Sequence, residues 1–271
     1  MKLSFLCPRW GSESLAPSAF IEKVMDAGYD GIELGVTDPD PAVDEVVRRA
    51  KDAGLTVVTQ HHDTIDRDLA VHLQKYEQRL RAAATYEPLF INSHTGRDCF
   101  TLDENRRVFE LAATVAADTG VPIYHETHRG RCCHSPWRTV ELIEALPEVR
   151  LVLDMSHWCN VCESLLEDQG DFLEKVLPHV AHIHARVGWA HGPQVSDPRA
   201  PEWAPAVAVH RAYWDRVIAH HQAAGAEILT IVPEFGPVPY LPVLPYTQRP
   251  VADQWAINVH MMNLLRTSNA D

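Results

Sequence analysis

Glu126, Asp154, His184 and Glu234 each lie at or near the end of a short apolar run, in "VPIYHE", "VRLVLD", "VAHIHA" and "EILTIVPEF". Carboxylate oxygens are hard ligands and a neutral imidazole adds a nitrogen, so this set suits a divalent cation. Three carboxylates at close quarters would repel one another strongly without a positive charge between them, which favours a metal centre over a merely polar pocket. One ion of Mn²⁺, Co²⁺, Mg²⁺, Fe²⁺ or Zn²⁺ fits the mixed ligation, and Mn²⁺ is the favoured choice. Further chemistry-bearing residues fall at comparable places: Trp10, Glu33, His61 and His62, His94, His157 three residues after Asp154, and Arg186 two after His184. Taken singly, a carboxylate at a strand end more simply caps the next helix. Glu33 reads as a supporting or structural carboxylate. His61 and His62 face opposite ways, so only one of them easily enters a shared pocket. Trp10, Trp158, Trp189 and Trp203 can stack on the flat face of a ligand or pack in the protein.

Residues so far apart in sequence meet only if a fold gathers them. Eight β-rich runs fall at residues 2–7, 31–36, 55–60, 88–94, 121–126, 149–154, 180–185 and 227–235. Between them lie helical patterns such as "PSAFIEKVMDAG", with Phe20, Ile21, Val24 and Met25 on one face and Gly28 suited to end it. "PAVDEVVRRAKDAG" and "DENRRVFELAATVAADTG" repeat the design. Alternating strands and helices imply parallel strands joined by right-handed crossovers, and eight such units predict a (β/α)₈ TIM barrel as one domain over residues 1–271. An open doubly wound sheet fits less well, because no Gly-rich dinucleotide fingerprint follows the first strand. In a barrel the C-terminal strand ends converge on one mouth, which gathers the residues above. Two Pro- and aromatic-rich segments, "VGWAHGPQVSDPRAPEWAPAV" after strand seven and "GPVPYLPVLPY" after strand eight, are expected to form lid-like insertions or a subunit contact. A homo-oligomer is expected accordingly.

The formal charge of −13, from 24 basic and 37 acidic residues, disfavours nucleic acid and anionic membranes as partners. No run is apolar for long enough to span a bilayer, and the first residues lack a signal-peptide core, so a cytoplasmic location is expected. The six cysteines are too sparse for a disulfide framework and read as free thiols, with a zinc site at Cys132–His134 and Cys159–Cys162 the weaker alternative.

The series "GYDGIEL", "HET", "LDMSH", "HIHAR" and "PEFG" resembles the xylose isomerase-like TIM-barrel superfamily, which includes ketose epimerases and type IV apurinic endonucleases. Its epimerase branch implies that Glu126, Asp154, His184 and Glu234 hold one metal, with Glu126 and Glu234 also the acid/base pair on opposite faces of the substrate. His157 and Arg186 look like that branch's substrate-binding pair. The implied reaction is isomerisation or epimerisation of a small ketose, cyclitol or keto-sugar. A metal holding the carbonyl and a neighbouring hydroxyl acidifies the α C–H and stabilises the enediolate. The endonuclease branch would instead use His62 and His94 as zinc ligands. It also carries an Asp-x-His after strand seven, where this chain has Asp197, Pro198 and Arg199. His62 and His94 are therefore expected to bind substrate hydroxyls. Lyase or oxidative chemistry on the same residues is a further alternative.

Overall fold

The computed structural model describes residues 1–37 and 40–268. Eight parallel strands close into a barrel in sequence order: β1 (Lys2–Pro8), β2 (Gly31–Gly35), β3 (Thr56–His61), β4 (Ile91–Ser93), β5 (Ile123–Glu126), β6 (Leu151–Leu153), β7 (Val180–His184) and β8 (Ile228–Val232). β8 pairs with β1, so no strand edge is left open.

The connecting helices form where the apolar spacing places them. α1 (Pro17–Asp26) buries Phe20, Ile21 and Val24, α2 (Pro41–Asp52) buries Val46, Val47 and Ala50, and α3 (Leu69–Ala84) follows β3. α4 (Leu102–Thr119) begins with a capping box between Thr101 and Glu104 and ends at Gly120, whose φ of 71° is the left-handed conformation that glycine adopts without strain. α5 (Pro136–Ala145), α6 (Met155–Val161), α7 (Gly170–Val176), α8 (Ala204–Ala223) and α9 (Gln254–Ser268) complete the ring. No helix among the described residues is long and apolar enough to cross a membrane.

The barrel interior positions the site. Leu6, Val58, Phe90, Val152 and Val232, with Tyr124 against them, form a separate apolar cluster that plugs the lumen. Side chains two residues apart on a strand share a face. One step further along each strand therefore lifts the chain from this plug to Gln60, Asn92, Glu126, Asp154 and Glu234. The apolar layer is the floor on which the polar layer rests.

Candidate metal centre and its cavity

Four of the strand-end residues converge. Glu126, Asp154, His184 and Glu234 are all buried, and each offers a ligand atom within 4.8 Å of the others. His184 Nδ1 and Glu234 Oε2 stand 2.7 Å apart, yet neither makes a hydrogen bond. Buried polar atoms normally find partners. Two unsatisfied lone-pair atoms beside two further carboxylates fit a divalent cation, and the oxygen-rich set with one imidazole suits the hard to borderline metals.

Each residue has a local reason for its position. Glu234 follows β8 with a φ of 51°, a left-handed conformation costly for a residue with a Cβ and characteristic of functional sites. Asp154 is the N-cap of α6. Its Oδ1 accepts from the Ser156 backbone N–H at 2.9 Å, while Oδ2 pairs with the Arg186 guanidinium. Capping and charge pairing thus use different oxygens of one carboxylate. Glu126 Oε2 accepts from Asn92 Nδ2 at 2.8 Å and lies 3.0 Å from His94 Nε2. The Gln60 amide stands between the two glutamates, 3.4 Å from Glu126 Oε2 and 3.5 Å from Glu234 Oε1.

Charge is concentrated here. Burial lowers the His184 pKa, but Glu234, Glu33 and Glu126 outweigh it and raise it well above the ordinary value. Burial raises Asp154, Arg186 opposes the rise, and repulsion from Glu234 and Glu126 adds to it, so its pKa reaches about 6. Glu33 is held below the usual carboxylate range: burial opposes this, but His184 and His182 prevail.

Above the centre opens a cavity of about 660 Å³, a size that holds a small molecule. Trp10, His62, His94, Arg186, Glu126 and Glu234 are on its wall. His157 is not. It is fully buried, with its Nε2 2.7 Å from Arg186 Nη2 and its ring 3.8 Å from that of His128. It meets the cavity only indirectly, through Arg186 and His128, which are both on the wall. Burial, reinforced by neighbouring cations and imidazoles, lowers the pKa of His94 and His157 well below normal, so both are neutral near pH 7.

Of the adjacent pair, His62 lines the cavity and His61 is buried against Ser93 and Thr64. The other tryptophans lie off the wall: Trp158 is fully buried with its indole donating to the Cys133 carbonyl, and Trp189 packs on Trp203. All six cysteines are free. Asp197 pairs with Arg199 and is not on the wall. The segment after β8 contributes Tyr240, whose ring centre is 5.0 Å from that of Trp10. Beyond Arg186, the proline-rich segment after β7 adds no wall residue, but Gln194 exchanges two hydrogen bonds with Gly236. A Cβ on Gly236 would come within 2.1 Å of the Trp10 indole, so glycine is needed for that ring to lie where it does.

Gln60, Asn92, His128 and Tyr240 escape a reading focused on ionisable strand ends. For Gln60 and Asn92 the signal exists: each lies two residues before a singled-out histidine and so shares its face.

The closed barrel with a carboxylate-rich mouth defines a (β/α)₈ protein with its ionisable cluster at the C-terminal strand ends, the face where enzymes of this architecture place their active sites. Within that class, a model of the family described as xylose isomerase-like TIM barrel matches residues 21–228, and the chain belongs to that family. No curated protein matches the chain. Similar solved structures include a probable 3-DHS dehydratase from Bacillus anthracis, 16% identical over 100% of both chains with a TM-score of 0.62. The 3-keto-D-glucoside 4-epimerase of E. coli is 17% identical over 98% of this chain and 100% of that one, with a TM-score of 0.64. A xylose isomerase-like TIM barrel protein from Mycobacterium smegmatis, in complex with magnesium, is 13% identical over 98% of this chain and 97% of that one, with a TM-score of 0.63. At these identities the likeness is one of fold.

Proposed function

We propose that this protein is a divalent-metal-dependent isomerase or epimerase acting next to the carbonyl of a small polyhydroxylated substrate, a ketose, cyclitol or keto-sugar. The observation that carries the reading is the four-residue cluster in which His184 Nδ1 and Glu234 Oε2 lie 2.7 Å apart, buried and without a hydrogen bond. Glu126, Asp154, His184 and Glu234 would hold the ion, with Mn²⁺ favoured. When bound, the ion supplies Lewis-acid polarisation of the carbonyl and a counter-charge for the carboxylates.

The chain's own groups supply the rest. Glu126 and Glu234 both reach the cavity, and one takes the α proton while the other returns it from the opposite face or at the adjacent carbon. Gln60, placed between them, donates to either without becoming charged. His62 and His94 meet substrate hydroxyls as neutral imidazoles able both to donate and to accept. Arg186 directs its charge at the substrate oxygens, held in place by Asp154 and His157. Trp10 and Tyr240 offer flat apolar faces to the C–H side of a sugar ring.

Support for reading the fold this way comes from the similar solved structures, which include a 3-keto-D-glucoside 4-epimerase. The test is incubation of metal-loaded protein with ketoses, keto-glycosides and inososes in deuterated water. Deuterium should enter at the carbon next to the carbonyl, in step with a change of isomer. A product lighter by one water would favour a lyase on the same residues, and metal-independent or absent exchange across the panel would reject the proposal.

A further inference from the structure

A carboxylate beneath the cluster is aimed at the one histidine in it. Glu33 on β2 is 4% exposed, and its Oε1 lies 3.0 Å from His184 Nε2. The opposite ring nitrogen, Nδ1, faces Glu234 Oε2 at 2.7 Å and Glu126 Oε2 at 3.6 Å. Asn92 Nδ2 donates to the same Glu33 oxygen at 3.2 Å. Below, His182 Nε2 lies 3.3 Å from Glu33 Oε2, and its Nδ1 bonds the Thr230 hydroxyl at 2.6 Å. A continuous line of polar groups therefore runs from β8 through β7 and β2 to the cluster, inside the barrel and away from bulk water.

We propose that Glu33 is a positioning residue that fixes the tautomer and ring angle of His184 so that its Nδ1 lone pair faces the metal site. The inference rests on the metal-dependent reading above. An imidazole carries one proton on either nitrogen, and only the Nε2–H form leaves Nδ1 free to ligate. A carboxylate accepting that N–H selects the form, stiffens the ring and raises its basicity as a ligand. Glu33 is itself held by Asn92 on one oxygen and approached by His182 on the other, so it cannot swing away without leaving buried donors unpaired.

Equilibrium dialysis against Mn²⁺ and the visible spectrum of the Co²⁺ form, for wild type and Glu33→Gln, test this without any substrate. Glu33→Gln should bind Mn²⁺ about 10- to 100-fold more weakly and show an altered Co²⁺ spectrum, with the metal-free protein still folded. Equal affinity and an unchanged spectrum would overturn the inference while leaving the metal reading intact. A lowered unfolding midpoint with unchanged affinity would do the same, since Glu33 would then be merely structural. If wild type binds neither metal, both fall together. Should Glu33→Gln not fold, Glu33→Asp, which draws the carboxylate back from His184, is expected to show the same loss of affinity and carries the test.

Discussion

Glu234→Gln should depress α-proton exchange by about 10²- to 10⁴-fold, the usual contribution of a general acid or base, while the barrel stays folded. The amide preserves shape but neither takes up a proton nor supplies an anionic ligand. Glu234 has both jobs available: it lies on the cavity wall, and its Oε2 is buried without a hydrogen bond. Its backbone is held at a φ of 51°, a conformation costing about 1–3 kcal/mol that pays for itself only if the side chain must point to the barrel axis. Circular dichroism and the unfolding midpoint serve as the fold control. A folded variant with wild-type exchange would remove Glu234 from the acid/base pair.

Withdrawing the metal should have the second large effect, and its size should depend on pH. An ion held at about 100 times its dissociation constant stabilises a folded chain by about 2.7 kcal/mol. For a chain of this size that corresponds to a midpoint shift of about 5–10 °C on chelation. Ligation requires Asp154 ionised and His184 Nδ1 free of its proton. His184 is raised well above its ordinary value and Asp154 to about 6, so binding must expel protons, and affinity should rise with pH. Each proton released makes it roughly tenfold per pH unit. In the metal-free protein the sign for stability is the reverse. A carboxyl whose folded pKa of about 6 exceeds its unfolded value of about 3.9 takes up a proton on folding. Its contribution is fully present below the unfolded value and is lost as pH rises through about 6. These protons must leave before the ion binds, so the midpoints of metal-loaded and chelated protein should move apart as pH rises through that window. Midpoints that coincide with and without chelator at every pH would contradict the account.

Much of this was legible because the barrel repeats one rule eight times. A two-residue step from Val152 to Asp154, or from Val232 to Glu234, is visible as apolar-then-acidic at those two strand ends, and the convergence follows from the strand–helix alternation. Asp154 shows where single-residue reading stops. Sequence offers a cap and a ligand as rivals there, whereas in the fold capping takes only Oδ1 and leaves Oδ2, beside Arg186, facing the cluster. His157 is more instructive still. Its spacing from Asp154 places it at the mouth, but α6, seven residues long and too short to carry a helical pattern, turns it inward beneath His128. Tyr240 was not readable, because a long Pro-rich segment takes its path from tertiary contacts such as those of Trp10 and Gly236 and not from its own periodicity.

Counting bound ions decides whether the four buried strand-end groups form one cation site. Wild type and the Glu126→Gln/Asp154→Asn double variant would be dialysed to equilibrium against Mn²⁺ at neutral pH and the bound metal measured per chain. Wild type should hold one ion per chain and a folded double variant none. No bound ion in wild type, or undiminished binding in the double variant, would contradict it.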